Sequence, residues 1–225
     1  DLHSIRVCLC GASPLPTEVQ ERFERLSGVK ISEGYGLTEA GPTTHCNPIH
    51  GDHPQGSMGL PFPDTDARIV DEETGMRDIP TGEAGELIIR GPQVMQGYWR
   101  KTEDTQAVLR DGWLYTGDIV TRDEHGFFFF LDRKKDVIKP WGETVYPREV
   151  EEILYQHPAV REAVVVGAPD HHYGEAVKAF VVQKEGCAVT ERELIDHCRR
   201  SLARFKVPVA IEFRTELPRT IIGKV

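Results

Sequence analysis

Apolar and polar positions along the chain follow three successive patterns. Residues 5–9 are β-branched or apolar, with strand character extending over 4–10, and residues 11–16 form a turn. Thr17 then caps a helix whose apolar positions are Val19, Phe23 and Leu26. A short strand over 29–32 leads into Gly34-Tyr35-Gly36, so residues 1–58 alternate as a βαβ segment should. From 59 to 131 the pattern breaks into short apolar runs at 67–70, 86–89, 113–115 and 127–131, separated by Gly, Pro and Asp. That spacing predicts a small antiparallel barrel-like or sandwich subdomain. Beyond 132 come a helix with Val150, Ile153 and Leu154 on one face, strands at 163–166 and 177–182, a helix over 190–203 and a strand at 209–213. The expected class is α/β plus α+β, with a boundary or hinge at Asp132-Arg133-Lys134-Lys135-Asp136.

A chain of 225 residues with 39% hydrophobic content can bury a substantial core. The formal charge of −9, with both signs mixed along the chain, offers no basic stripe for a nucleic acid. The five cysteines, at 8, 10, 46, 187 and 198, form no C-x-x-C pair, as expected of reduced thiols in a cytoplasmic protein. No apolar run approaches the roughly 20 residues that span a bilayer, which leaves only peripheral membrane contact open. Because residues 4–10 already read as a strand, a further upstream segment is expected.

Three segments can carry chemistry. In Glu33-Gly34-Tyr35-Gly36-Leu37-Thr38-Glu39, glycines allow close approach, Tyr35 offers a stacking face, Thr38 can donate to a phosphate, and Glu39 can hold Mg²⁺. A strand-to-helix turn with a packed tyrosine is the alternative. Asp118, ending Trp113-Leu114-Tyr115-Thr116-Gly117-Asp118, can accept both hydroxyls of a ribose, or can be a simple turn aspartate. Lys224, after Gly223, is a movable positive charge suited to a phosphoryl group, or a solvated surface lysine.

Taken together, these segments resemble the adenylate-forming superfamily of acyl-CoA synthetases, luciferases and adenylation domains. The likeness runs from Cys10 to Lys224 and includes Gly85-Glu86-Leu87, Gly97-Tyr98-Trp99 and Tyr146-Pro147-Arg148-Glu149-Val150-Glu151. It implies the end of a large AMP-binding domain over 1–131, followed by a mobile α+β lid over 132–225. It also implies that Gly11, Ala12 and Ser13 line one side of the adenine, and that Tyr35 stacks on the other. Glu33, Gly34, Gly36 and Leu37 complete that loop, Thr38 touches the α-phosphate, and Glu39 places Mg²⁺. Asp118 and Arg133 hold the ribose, and Lys224 serves the first half-reaction, in which a carboxylate and ATP give acyl-AMP and pyrophosphate. Lys135 stands at the hinge, Lys139 matches a second nucleotide-contacting lysine, and Gly142 lies beside the pantetheine channel. Trp141 stands there where small residues are common, or packs on the domain face.

Residues 41–48 and 146–149 look most like fatty-acyl-CoA ligases, so the resemblance implies a fatty acid, ATP and coenzyme A as partners. A carrier-protein phosphopantetheine is the alternative acceptor. A nucleotide-binding piece without turnover is a further alternative, since no Ser/Thr/Gly-rich loop ending in Pro-Lys occurs in these residues. The segment 45–53, with His45, Cys46, His50 and His53, fits no zinc template well. His171-His172 reads as a structural turn, and Phe127-Phe128-Phe129-Phe130 as buried strand rather than a lipid-binding face.

Overall fold

The computed structural model describes residues 2, 4–12, 15–172 and 174–219; Ser13 and Lys224 lie outside them. Two compact units form, Asp1–Lys134 and Lys135–Val225.

The first unit begins with strand β1 (Cys8–Cys10), helix α1 (Thr17–Ser27) and strand β2 (Ile31–Gly36). β1 and β2 pair in parallel, Cys10 opposite Glu33, with α1 as their crossover. α1 ends where Gly28, at φ 73°, turns its N–H back to the Glu24 carbonyl. Its apolar stripe is not inside: Val19 and Leu26 are exposed, whereas Gln20 and Ser27 are buried. Strands β3 (Thr43–Cys46) and β4 (Leu60–Pro61) extend the sheet antiparallel, in the order β1-β2-β3-β4.

A second, all-antiparallel sheet follows from β5 (Asp66–Val70), β6 (Gly85–Arg90), α2 (Thr102–Val108), β7 (Leu109–Arg110), β8 (Trp113–Arg122) and β9 (Phe128–Arg133). This curled, half-barrel-like sheet is the expected β subdomain. β6 is its centre, with Leu87, Ile88 and Ile89 all buried, each contributing about 1.5–3 kcal/mol by leaving water. Leu87 packs with Met58, Ile69, Val120 and Phe128, while Ile89 packs with Ala40 and Leu114. In the four-phenylalanine run only Phe128 is fully buried; Phe130, two residues on, is partly buried against the same cluster. Asp132, Arg133 and Lys134 stay with this unit, since β9 runs to Arg133 and the Lys134 N–H still donates to the Gly117 carbonyl at 2.8 Å.

The second unit holds α3 (Pro147–Tyr155), β10 (Val160–Asp170), β11 (Gly174–Gln183), α4 (Glu191–Arg199) and β12 (Ala210–Phe213). β11 is central, antiparallel to β10 and parallel to β12, with α4 as the parallel crossover. Val150 and Leu154 of α3 and Leu194 and Cys198 of α4 meet Val165, Val177, Ala179 and Val181 of the sheet in one contiguous core. A capping box starts α4: Thr190 Oγ1 accepts from the Glu193 N–H, while the Glu193 carboxylate accepts from the Thr190 N–H. α4 is shorter than the expected 190–203 helix, because Ala203 is extended and a 3₁₀ turn, Arg204–Lys206, follows.

Candidate nucleotide site

The first unit brings candidate residues from far-apart segments to one place. Gly11 follows β1 directly, and a Cβ placed on it would lie 2.9 Å from the Gly34 carbonyl oxygen. The loop after β1 therefore runs against β2 at the carboxyl ends of two parallel strands, where open α/β sheets receive ligands. Ala12 sits beside it with φ 72°. At Gly36 a side chain would run into the Pro42 carbonyl, so the chain after Tyr35 can only pass there as glycine.

Tyr35 lies on β2, with its ring edge toward buried His45 at a centroid distance of 5.8 Å. Its hydroxyl donates to Asp118 Oδ2 at 2.6 Å, across 83 residues of sequence. β9 pairs Arg133 directly opposite Asp118, and the Arg133 Nε stands 3.8 Å from Asp118 Oδ1. Asp118 is buried while Arg133 is exposed, so the guanidinium is screened by water and the pair by itself is weakly stabilising. Burial pushes the Asp118 carboxyl above its usual range, with Glu86 and Asp132 adding to the rise; the Tyr35 hydroxyl and Arg133 pull it back down. Burial, then the neighbouring Asp118 charge, raises the Tyr35 hydroxyl well above its ordinary value, so it stays a donor. His45 is lowered to about 3 by burial and is neutral in physiological conditions.

A bulge aims Asp118. β6 and β8 shift register between Glu86 and Ile88, where Gly117 takes φ 71°. Thr116 Oγ1 donates to the Leu87 carbonyl at 2.8 Å and accepts from the Asp118 N–H at 3.1 Å. Glu86 holds the bulge from behind: its buried carboxylate accepts the Gly117 N–H at 3.2 Å and the Lys134 ammonium at 2.7 Å.

Past β2, Leu37 precedes a 3₁₀ turn, Thr38–Ala40. Thr38 is exposed, and Glu39 Oε1 accepts the Tyr98 hydroxyl at 2.7 Å. Among the described residues Glu39 Oε2 takes no hydrogen bond and is available to a cation. A buried carboxylate, a planar guanidinium, a tyrosine ring and a free carboxylate oxygen suit a nucleoside phosphate with Mg²⁺.

The second unit carries Lys135, Lys139, Trp141 and Gly142. Lys135 is exposed in the turn after β9. Lys139 and Gly142 lie in a loop closed by the bridge between Ile138 and Val145. Lys139 Nζ donates to Thr144 Oγ1 at 3.0 Å, and the Lys139 N–H donates to Glu175 Oε2 at 2.7 Å. Trp141 is 61% exposed with φ 53°, and forms one wall of a cleft of about 490 Å³ with Phe205 and Arg204. His171 and His172 lie in the turn after β10, where the His172 N–H donates to Asp170 Oδ1 at 2.8 Å.

Glu86, Tyr98 and Lys134 also shape the site, although no sequence motif assigns them a role. Glu86 has a signal: it is the one carboxylate inside the apolar run 85–89.

The sequence model for an AMP-binding enzyme matches residues 1–99, and that for an AMP-binding enzyme C-terminal domain matches residues 149–224. A long-chain-fatty-acid–CoA ligase of Bacillus subtilis (strain 168) is 56% identical over 225 residues, all of this chain and 40% of that protein. A feruloyl-CoA synthase of Amycolatopsis sp is 42% identical over 227 residues, all of this chain and 45% of that protein. The ATP-bound crystal structure of MatB from Rhodopseudomonas palustris superposes with a TM-score of 0.93 at 36% identity, over 98% of this chain and 44% of that one. The chain thus spans less than half the length of these relatives. With both models matched and the Tyr35, Asp118 and Arg133 cluster assembled, the chain belongs to the AMP-binding, adenylate-forming enzyme family.

Proposed function

We propose that the protein carrying this chain is an ATP-dependent acid–thiol ligase. A carboxylate would attack the α-phosphorus of ATP to give acyl-AMP and pyrophosphate, and the coenzyme A thiol would then displace AMP to give the thioester. The observation that carries this reading is the buried Asp118, tied to Tyr35 at 2.6 Å and flanked by Arg133.

In this reading Asp118 accepts the ribose hydroxyls and Arg133 reinforces that contact, with Tyr35 fixing the carboxylate while its ring and the loop at Gly11, Ala12 and Ser13 enclose the adenine. Thr38 donates to the α-phosphate. Mg²⁺ held at Glu39 supplies neutralisation of phosphate charge. Lys224, Lys139, Gly142 and the hinge at Lys135 belong to the second unit, which acts as the mobile lid: Lys224 serves adenylation, and the loop at Gly142 serves the thiol. The chemistry is positioning and charge neutralisation, since two anions must meet.

A long-chain fatty acid is the proposed substrate, supported by 56% identity to the Bacillus subtilis ligase. The full-length protein is assayed with ATP, coenzyme A and either a long-chain fatty acid or ferulate, reading pyrophosphate and thioester separately. Acid-dependent pyrophosphate release followed by thioester, with the fatty acid turned over more efficiently, is the expected outcome. Acyl-AMP that accumulates without thioester would favour a carrier-protein acceptor, and preference for ferulate would remove the fatty-acid assignment.

A further inference from the structure

The loop between β6 and α2 has more to do than connect them. It is fastened to the turn that carries Glu39 at several points. The Met95 N–H donates to the Glu39 carbonyl at 2.8 Å, and Val94 and Met95 pack against the cluster around buried Ala40. The loop's own shape is held at Tyr98, whose N–H donates to Thr105 Oγ1 at 2.9 Å while that hydroxyl donates to the Lys101 carbonyl at 2.7 Å. From this anchored position the Tyr98 hydroxyl reaches Glu39 Oε1 at 2.7 Å, a contact across 59 residues of sequence.

We infer that Tyr98 is a positioning residue for Glu39, holding one carboxylate oxygen so that the other faces a cation. An untethered glutamate carboxylate rotates about its side-chain bonds, and each bond frozen before binding is one not frozen at its expense. The anchored phenol removes that freedom at Oε1 and leaves Oε2 without a protein partner among the described residues. Outer partners of this kind orient the groups that bind metals. The inference rests on the reading of Glu39 as the Mg²⁺ residue.

The test uses Tyr98→Phe in the full-length protein, which keeps the ring and loses only the hydroxyl. Two quantities are read: the Mg²⁺ concentration giving half-maximal pyrophosphate release, and the binding of Mn²⁺ to the protein–ATP complex by electron paramagnetic resonance. Both should weaken by about tenfold, the lower end for loss of an outer partner, with the acid and coenzyme A KM values and the melting temperature unchanged. Because Tyr98 acts through Glu39, adding Tyr98→Phe to Glu39→Gln should weaken Mn²⁺ binding no further. Unchanged Mn²⁺ binding in Tyr98→Phe, or a double variant whose loss equals the sum of the two single losses, overturns the inference. If the unsubstituted protein binds Mn²⁺ with ATP but releases no pyrophosphate with any acid, the ligase reading fails, and the Mn²⁺ comparison still decides the role of Tyr98.

Discussion

The two units carry their candidate residues in opposite ways. In the first, the polar contacts are long-range: Tyr35 to Asp118 spans 83 residues, Tyr98 to Glu39 spans 59 and Lys134 to Glu86 spans 48. Asp118 and Glu86 are buried, and a β-bulge and paired strands fix where they point. In the second unit, Lys139 and Gly142 sit on a short loop closed over a single bridge, and Lys139 is exposed. The Lys139 N–H is tied to Glu175 across 36 residues, but its ammonium reaches only Thr144, five residues on, and the core beneath is apolar. Geometry is thus built into the polar site of the first unit and into the scaffold beneath the loops of the second. A site that must hold a nucleoside in one pose benefits from buried, cross-strand fixation. A unit proposed to move needs to be rigid as a body while its contact residues stay solvated.

Substitutions that strike one unit without the other separate these two designs. The largest effect is expected from Leu194→Ala, which empties a fully buried position of the second unit's core and should cost about 2–5 kcal/mol of that unit's stability. Calorimetric unfolding would show its transition lowered, while ATP affinity stays within about twofold, since Leu194 belongs to a different core cluster from the one Tyr35 packs against and shares no partner with it.

Tyr35→Phe should act the other way, on the site and not on the core. It removes a hydrogen bond to a carboxylate, worth about 1.5–3 kcal/mol. Tyr35 donates to the ionised form of Asp118, so its loss lets the already raised carboxyl rise further. Asp118 is then protonated earlier on acidification, and the acid limb of ATP affinity moves to higher pH. An ATP titration across the acidic to neutral range reads the shift, and an unmoved limb would detach Tyr35 from Asp118.

Gly117→Ala meets no atom within 4 Å, so its effect is conformational alone. Holding a side chain at φ 71° costs about 1–2 kcal/mol, or relaxes the bulge and turns Asp118 away. ATP affinity should therefore fall more than the melting temperature. The smallest effect is expected from Thr190→Ala, which breaks the capping box of α4 for about 1 kcal/mol and leaves nucleotide binding unchanged. Chemical denaturation would resolve it.

What the sequence discloses follows the same division. Apolar runs bounded by glycine or aspartate announce β5, β6 and β8, and Thr190 with Glu193 announces the start of α4. β3 is hidden because Thr43-Thr44-His45-Cys46 has no apolar alternation, although His45 and Thr44 are fully buried. α2 is hidden because it buries no residue at all, so no period marks it. The stripe Val19, Phe23, Leu26 marks α1 correctly as a helix but not its buried face. At the site, the residue types of Tyr35, Glu39 and Asp118 suggest a nucleotide before any fold is known, while Arg133 joins them only through the family resemblance. Their mutual bonds do not, because contacts across 59 and 83 residues depend on strand register, which no local pattern reports. Glu86 and Tyr98 escape notice for that reason: each touches another protein side chain rather than a recognisable ligand group.

The ribose contact proposed for Asp118 is tested most directly by titrating the full-length protein and its Asp118→Ala variant with ATP and with 2′-deoxy-ATP and 3′-deoxy-ATP. The unsubstituted protein should prefer ATP over a deoxy analogue by about tenfold or more, the worth of one hydrogen bond to a charged group. The variant should bind all three nucleotides equally weakly. Equal discrimination by both proteins would place the ribose elsewhere and contradict the account.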